Sequence, residues 1–311
     1  MQNILITGGM GYIGSLACKN LSESGYNVTI LDNLMFKQNV EAISKWKNVK
    51  FVKGDVRDES LMGQLIKNND IFIPLAGIVG APLCDKMPKE TLQINTDAIK
   101  YLSSTCSKQQ LIIMPVSNSG YGVGEKNKLC DENSPLNPVS LYGKSKVEAE
   151  KIIMERENSI SFRLATVFGV SNYRMRSDLM VNNFVYLAIK KETFKLFEPN
   201  FRRNFVHISD VNSAFEYSIH NFQKMKNNIY NAGLNSANIT KLQLAQLIKK
   251  QIKDLKLSTI KSIKDPDQRN YFVSNDKLKK KGFTAKRNLN EGIKELIKGF
   301  KVEGLKIKNN Y

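Results

Sequence analysis

The chain has 311 residues, 41% of them apolar, and a formal net charge of +18. That length can bury a large core, and it suits one large α/β unit with a smaller appended lobe better than two independent domains. No run approaches the ~18 consecutive apolar residues of a membrane span, and no signal-peptide pattern is present. No membrane partner is therefore expected, and residence is expected to be cytoplasmic. Short apolar runs at Asn3–Thr7, Asn27–Asp32, Val49–Lys53, Asp70–Leu75, Gln110–Ser117 and Ser159–Leu164 read as strands, with helical periodicity between them. This alternation predicts a doubly wound parallel sheet of the Rossmann type. Beyond Gly169 the rhythm changes, with the basic loop Tyr173-Arg174-Met175-Arg176, a helix near Asp178–Lys190 and a strand near Phe194–Phe197. The stretch Asn204–Asn231 could belong to either part. Thr240 and Gln243 form a capping box, and Leu289, Ile293, Leu296, Ile297 and Phe300 give the last helix an apolar stripe.

The charge is unevenly placed, since residues 241–311 hold 19 Lys and Arg against 7 Asp and Glu. There it follows helical spacing, as expected of solvated helix faces, and lacks the interleaved aromatics of a single-strand binder. No nucleic-acid partner is expected; attraction of an anionic small substrate is. Cys18, Cys84, Cys106 and Cys130 show no Cys-x-x-Cys spacing and have only His207 and His220 as possible imidazole partners. They are read as reduced thiols, with neither a metal site nor a disulfide framework.

Gly9-x-Gly11-x-x-Gly14 follows the first strand and opens a helix. Such glycines permit a tight turn and close approach of a pyrophosphate, for which the helix N-terminus supplies amides. Asp32 ends the second strand, where a carboxylate accepts ribose hydroxyls and repels a 2′-phosphate, so NAD is favoured over NADP. Tyr142 and Lys146 lie four residues apart in a helix expected over Ser140–Glu157, which puts both on one face. A tyrosine near pKa ~10 is almost wholly protonated at neutral pH. A nearby ammonium would help it act as a general base.

With glycine loop, strand-end Asp and Tyr-x-x-x-Lys in this order, the chain resembles the extended short-chain dehydrogenase/reductases, specifically the nucleotide-sugar epimerase/dehydratase family. The resemblance implies an NAD-dependent enzyme with a Rossmann fold and a smaller, mostly C-terminal α/β lobe for a nucleotide-diphosphate sugar. Residues 1–169, with 204–235 returning to them, would bind NAD; 170–203 and 236–311 would bind the sugar nucleotide. Gly8, Gly11, Tyr12, Ile13 and Gly14 match the family's glycine loop, Asp32 and Asn33 its ribose contact and Asp55-Val56 its adenine contact. Leu75-Ala76-Gly77 matches its fourth-strand wall and Asn95 its central-helix asparagine. Ser117, four residues before Tyr121, stands where the family keeps its catalytic Ser or Thr, beside Tyr142 and Lys146. Asn183 resembles the asparagine of the nucleotide-binding helix, Arg203 and Arg269 the diphosphate-binding arginines, and Lys195 with Phe197 the segment that holds the base through its main chain.

Two departures matter. Relatives that dehydrate or decarboxylate carry Asp-Glu or Ser-Glu after the catalytic Ser/Thr, whereas this chain has Asn118 and Ser119, neither a carboxylate. Pro74 replaces a histidine common before the fourth-strand Leu-Ala. The phrases 74–84, 118–122 and 162–169 look most like bacterial GDP-heptose 4-dehydrogenases, which act in polysaccharide-precursor synthesis. The expectation is oxidation at C4 to a 4-keto sugar; 4-epimerisation and 4-ketoreduction share all these residues. A non-catalytic NAD-binding scaffold is the reading from another class, and such degenerate members usually lose the tyrosine or lysine retained here. Relatives often pair through the tyrosine helix, so a homodimer is expected.

Overall fold

The computed structural model describes residues 1–38, 40–124, 128–253, 255–260, 269–302, 305, 307, 309 and 310. Strands β1 (Asn3–Thr7), β2 (Asn27–Asp32), β3 (Val49–Lys53), β4 (Ile71–Pro74) and β5 (Leu111–Ser117) are joined by Ser159–Leu164 and Asn228–Ala232. All seven run parallel, in the order 228–232, 159–164, β5, β4, β1, β2, β3. Four of the six expected strands have the expected bounds; β4 and β5 lose only the residues flanking them. The strand 228–232, unassigned by its sequence, pairs with 159–164 at the sheet edge.

Except for the edge strand β3, which carries exposed Lys50 and Lys53, these strands are largely buried on both faces, so their sequences read as near-continuous apolar runs. Alternate residues then divide between two cores. Ile4 and Ile6 face helix α1 (Tyr12–Glu23) and helix Ile208–His220 through Ala17, Leu21, Val211 and Phe215. Leu5, Phe72, Ile112 and Met114 face the opposite helices, among them Leu141–Met154, through Ala149 and Ile153. The strand order reverses between β1 and β4, which opens a crevice at their C-terminal ends, and ligands of such sheets bind there.

A third core, with Phe168, Val185, Leu244, Ile248, Ile293 and Leu296, lies among helices Met180–Ile189, Lys241–Gln251 and Leu289–Gly299. The capping box at Thr240 forms as expected, and a second one, between Asn288 and Glu291, starts the last helix. Among the described residues no helix is long and apolar enough to cross a membrane.

Candidate active site

The glycine loop is shaped by contacts that no side chain could share. Gly8 has φ +66°, and a Cβ there would lie 2.6 Å from the Ala76 amide nitrogen; one on Gly14 would lie 2.5 Å from the Gly8 oxygen. Helix α1 therefore starts hard against β1 and β4, with Gly11 at its N-cap and no side-chain cap. Its first amides are left for a ligand. An open cleft of about 530 Å³, the solvent at its mouth included, lies there, lined by Gly8, Gly11, Asp32, Asn33, Val56, Leu75, Ala76 and Gly77 from the expected set.

The remaining expected cofactor residues act around that cavity. Asp32 is buried, and its carboxylate accepts from the Met10 and Leu34 amides at 2.9 and 2.8 Å. Burial raises its pKa above the ordinary carboxylate value despite those two bonds. Asp55 accepts from Arg57 Nε and Nη2 and from Asn33 Nδ2, which fixes the loops after β2 and β3 to each other. The Tyr12 ring turns away from the cavity, donating to the Gly169 carbonyl at 2.7 Å, and Ile13 packs against apolar core. Asn95 is fully buried, accepts from Ile78 N, and donates to Ile78 O and Ser145 Oγ. It thus clamps the turn after β4 onto the tyrosine helix, beside Lys146.

That helix, Leu141–Met154, starts at Ser140, whose hydroxyl caps the Gly143 amide at 3.1 Å. Tyr142 lies beside Ser117, at the end of β5. Burial raises the Tyr142 pKa, opposed first by the charge of Arg269, then by the nearby Ser117 hydroxyl and by the charge of Arg176. The tuning expected of Lys146 thus comes from two arginines. Lys146 is 6% exposed, with its ammonium close to Gly77 and Asn95, and burial pulls its pKa down to about 8. Next to Ser117, the side chains of Asn118 and Ser119 are buried and make no hydrogen bond among the described residues.

The expected substrate residues are brought together unevenly. Arg203 is fully buried, donates to the Arg202 carbonyl and lies over the Tyr271 ring. Asn270 accepts from Arg202 N and bonds the backbone of Gly122 and Gly124, which holds Arg269 toward Tyr142. Asn183 is partly exposed, whereas its neighbour Asn182 is buried and bonded to Gly169, Arg176 and Tyr12. Lys195 is exposed, and the Phe197 carbonyl already accepts from Lys241 at 3.0 Å. Arg174 and Phe36, which line the cavity, and Arg176, which acts on Tyr142, were not singled out from the sequence. The only signal for the two arginines was the basic loop in which they sit.

Known proteins resemble this chain in sequence and in fold. The chain is 28% identical over 309 residues to a Methanocaldococcus jannaschii protein provisionally named a UDP-glucose 4-epimerase, covering 96% of this chain and 98% of that one. It is 27% identical to the dTDP-D-glucose 4,6-dehydratase of Bos taurus, over 96% of this chain and 89% of that one. Among solved structures, the UDP-glucuronic acid 4-epimerase of Bacillus cereus, in complex with UDP-glucuronic acid and NAD, superposes with TM-score 0.84 at 20% identity, over 96% of this chain and 99% of that one. The sequence profile of the NAD dependent epimerase/dehydratase family matches residues 4–233, and the chain belongs to that family.

Proposed function

We propose that the protein oxidises C4 of a nucleotide-diphosphate sugar with NAD, and that it does so without dehydration. The observation that carries this reading is Ser117 placed beside Tyr142, followed by Asn118 and Ser119 where a dehydratase would hold its acid. The glycine cradle and the cavity beside Asp32 fit the cofactor, with Gly8, Gly11, Asp32 and Val56 along its length and Lys146 at its far end. NAD bound there supplies one piece of chemistry, acceptance of a hydride from the sugar carbon.

The chain's own residues do the rest. Tyr142, as phenolate, removes the proton from the C4 hydroxyl, and Ser117 donates to the same oxygen as charge develops on it. The cations Arg269 and Arg176 make that phenolate easier to form. Arg203 and Arg269 suit a diphosphate through planar, bidentate forks, and anchoring it there places C4 against the tyrosine. Asn118 and Ser119, buried without protein partners, bond the sugar hydroxyls instead.

A ketone that turns over in the pocket before reduction yields the 4-epimer, and the UDP-glucose 4-epimerase name carried by the archaeal relative favours this variant. The test is a panel of UDP-, dTDP- and GDP-sugars, GDP-heptose included, with mass analysis of products. A two-dalton loss marks a dehydrogenase; unchanged mass with altered stereochemistry marks an epimerase. Loss of water from any sugar overturns the reading. Tyr142→Phe should lower turnover by at least ~10²-fold, and retained turnover would remove Tyr142 from its role.

A further inference from the structure

We propose that Arg174 binds the pyrophosphate of the dinucleotide across the mouth of the glycine loop, and that Asn310 is its positioning residue. Arg174 is 5% exposed, and among the described residues no carboxylate lies within ion-pairing distance of it. Among the described residues its Nε is buried without a hydrogen-bond partner. The guanidinium is held by the Phe36 ring, 4.6 Å below it, and by a bond from Nη2 to Asn310 Oδ1 at 2.5 Å. Asp178 and Asp32 favour the cation only from longer range, and a buried cation without a direct ion pair is costly for a folded chain. The site makes sense once an anion completes it.

Position identifies the anion. Arg174 lines the cavity that holds Gly8, Gly11 and Asp32, and its Nη1 lies 3.9 Å from where a Gly11 Cβ would stand. The planar fork is thus aimed at the glycine turn, where α1 presents its first amides to a phosphate. A 2′-phosphate is the wrong group, because Asp32 in the same cavity would repel it. Arg174 comes from the irregular loop after Gly169, so a segment well outside the dinucleotide motif closes the phosphate site.

Ile307, Asn309 and Asn310 hold that loop in place. Met175 forms a β-bridge with Ile307, and Asn309 Oδ1 accepts from Ser177 N at 2.9 Å and from its hydroxyl at 3.2 Å. Asn310 itself is 7% exposed. Residues 174–177 are gripped at three successive points, and the third orients the Arg174 fork.

The inference rests on the cofactor reading above, and direct binding separates the two. Calorimetry of the full chain, freed of nucleotide, would use ADP-ribose, its 2′-phosphorylated form and adenosine. Arg174→Met should weaken ADP-ribose about 10- to 100-fold and leave adenosine within about twofold. Arg174→Lys should recover part of the loss, and Asn310→Ala should weaken ADP-ribose about 3- to 10-fold. Unchanged ADP-ribose affinity in Arg174→Met, equal loss of adenosine, or a loss confined to the 2′-phosphorylated ligand overturns the assignment. Unchanged affinity in Asn310→Ala overturns the positioning role. A wild-type chain that binds no ADP-ribose overturns the cofactor reading instead.

Discussion

Lys146 is a cation that the unliganded fold holds against its own preference. Burial lowers its pKa from the ordinary 10.5 to about 8. Between those values the unfolded chain binds more protons than the folded one, so stability rises with pH across that window, and the penalty is fully present below it. The shift corresponds to about 3 kcal/mol. Lys146→Met should therefore stabilise the unliganded chain by up to that amount at pH 7, and by much less at pH 10.5, in urea unfolding at both values. Equal effects at the two values would refute the account. The candidate reacting residues were legible in the sequence as candidates, because Tyr142 and Lys146 share a helix face by spacing alone and Ser117 closes an apolar run. Arg174 and Arg176 were not. They sit in an irregular loop whose path depends on bonds to Asp178, Asn182, Asn309 and Asn310, distant or aperiodic in sequence.

At the scale of elements, the site depends on how closely α1 approaches β1 and β4. Gly14 marks that approach, since the Gly8 oxygen and the Gly9 backbone lie within 2.8 Å of its missing Cβ. These are backbone atoms, so relief requires moving the helix start. Gly14→Ala should cost about 1–3 kcal/mol in denaturant unfolding and weaken NAD binding along with it. A variant of wild-type stability and affinity would show that the turn has more room than its contacts indicate. Six of the seven parallel strands were legible, most of them because burial on both faces leaves apolar runs with polar ends. The two-residue pairings of Leu129–Cys130 with Phe272–Val273 and of Arg202–Arg203 with Ile239–Thr240 were not. Each is created by contact between segments far apart in the chain, and neither segment carries a periodic signal of its own. The second of these pairings nevertheless sets the place of Arg203.

Across the whole molecule, a buried polar network lies behind the candidate pair Ser117 and Tyr142 and joins the parts that build it. Glu150, on the tyrosine helix, accepts from Arg163 Nε and Nη2 and from Ser161. Arg163, on the neighbouring strand, also bonds the Tyr121 hydroxyl, which donates to Asn231, and Asn231 donates to the Ser274 carbonyl. Tyr121 ends the short turn that begins at Ser117, so one chain of bonds runs from the helix of Tyr142 to the loop of Ser117 and on toward the segment after Arg269. Glu150 and Arg163 are both about 95% buried as side chains and pair at 2.7 Å. Removing one charge strands the other, so Glu150→Ala should cost about 3–5 kcal/mol in urea unfolding. Replacing both, with Glu150→Leu and Arg163→Met, removes the stranded charge and should restore much of that loss, which a double-mutant cycle would read as a large coupling. Because Tyr121 then loses one of its bonds, turnover in the restored double variant should still fall below wild type. Additive single effects would show that the two charges are solvated independently, and full turnover in the double variant would show that the network supports the fold without setting the distance between Ser117 and Tyr142.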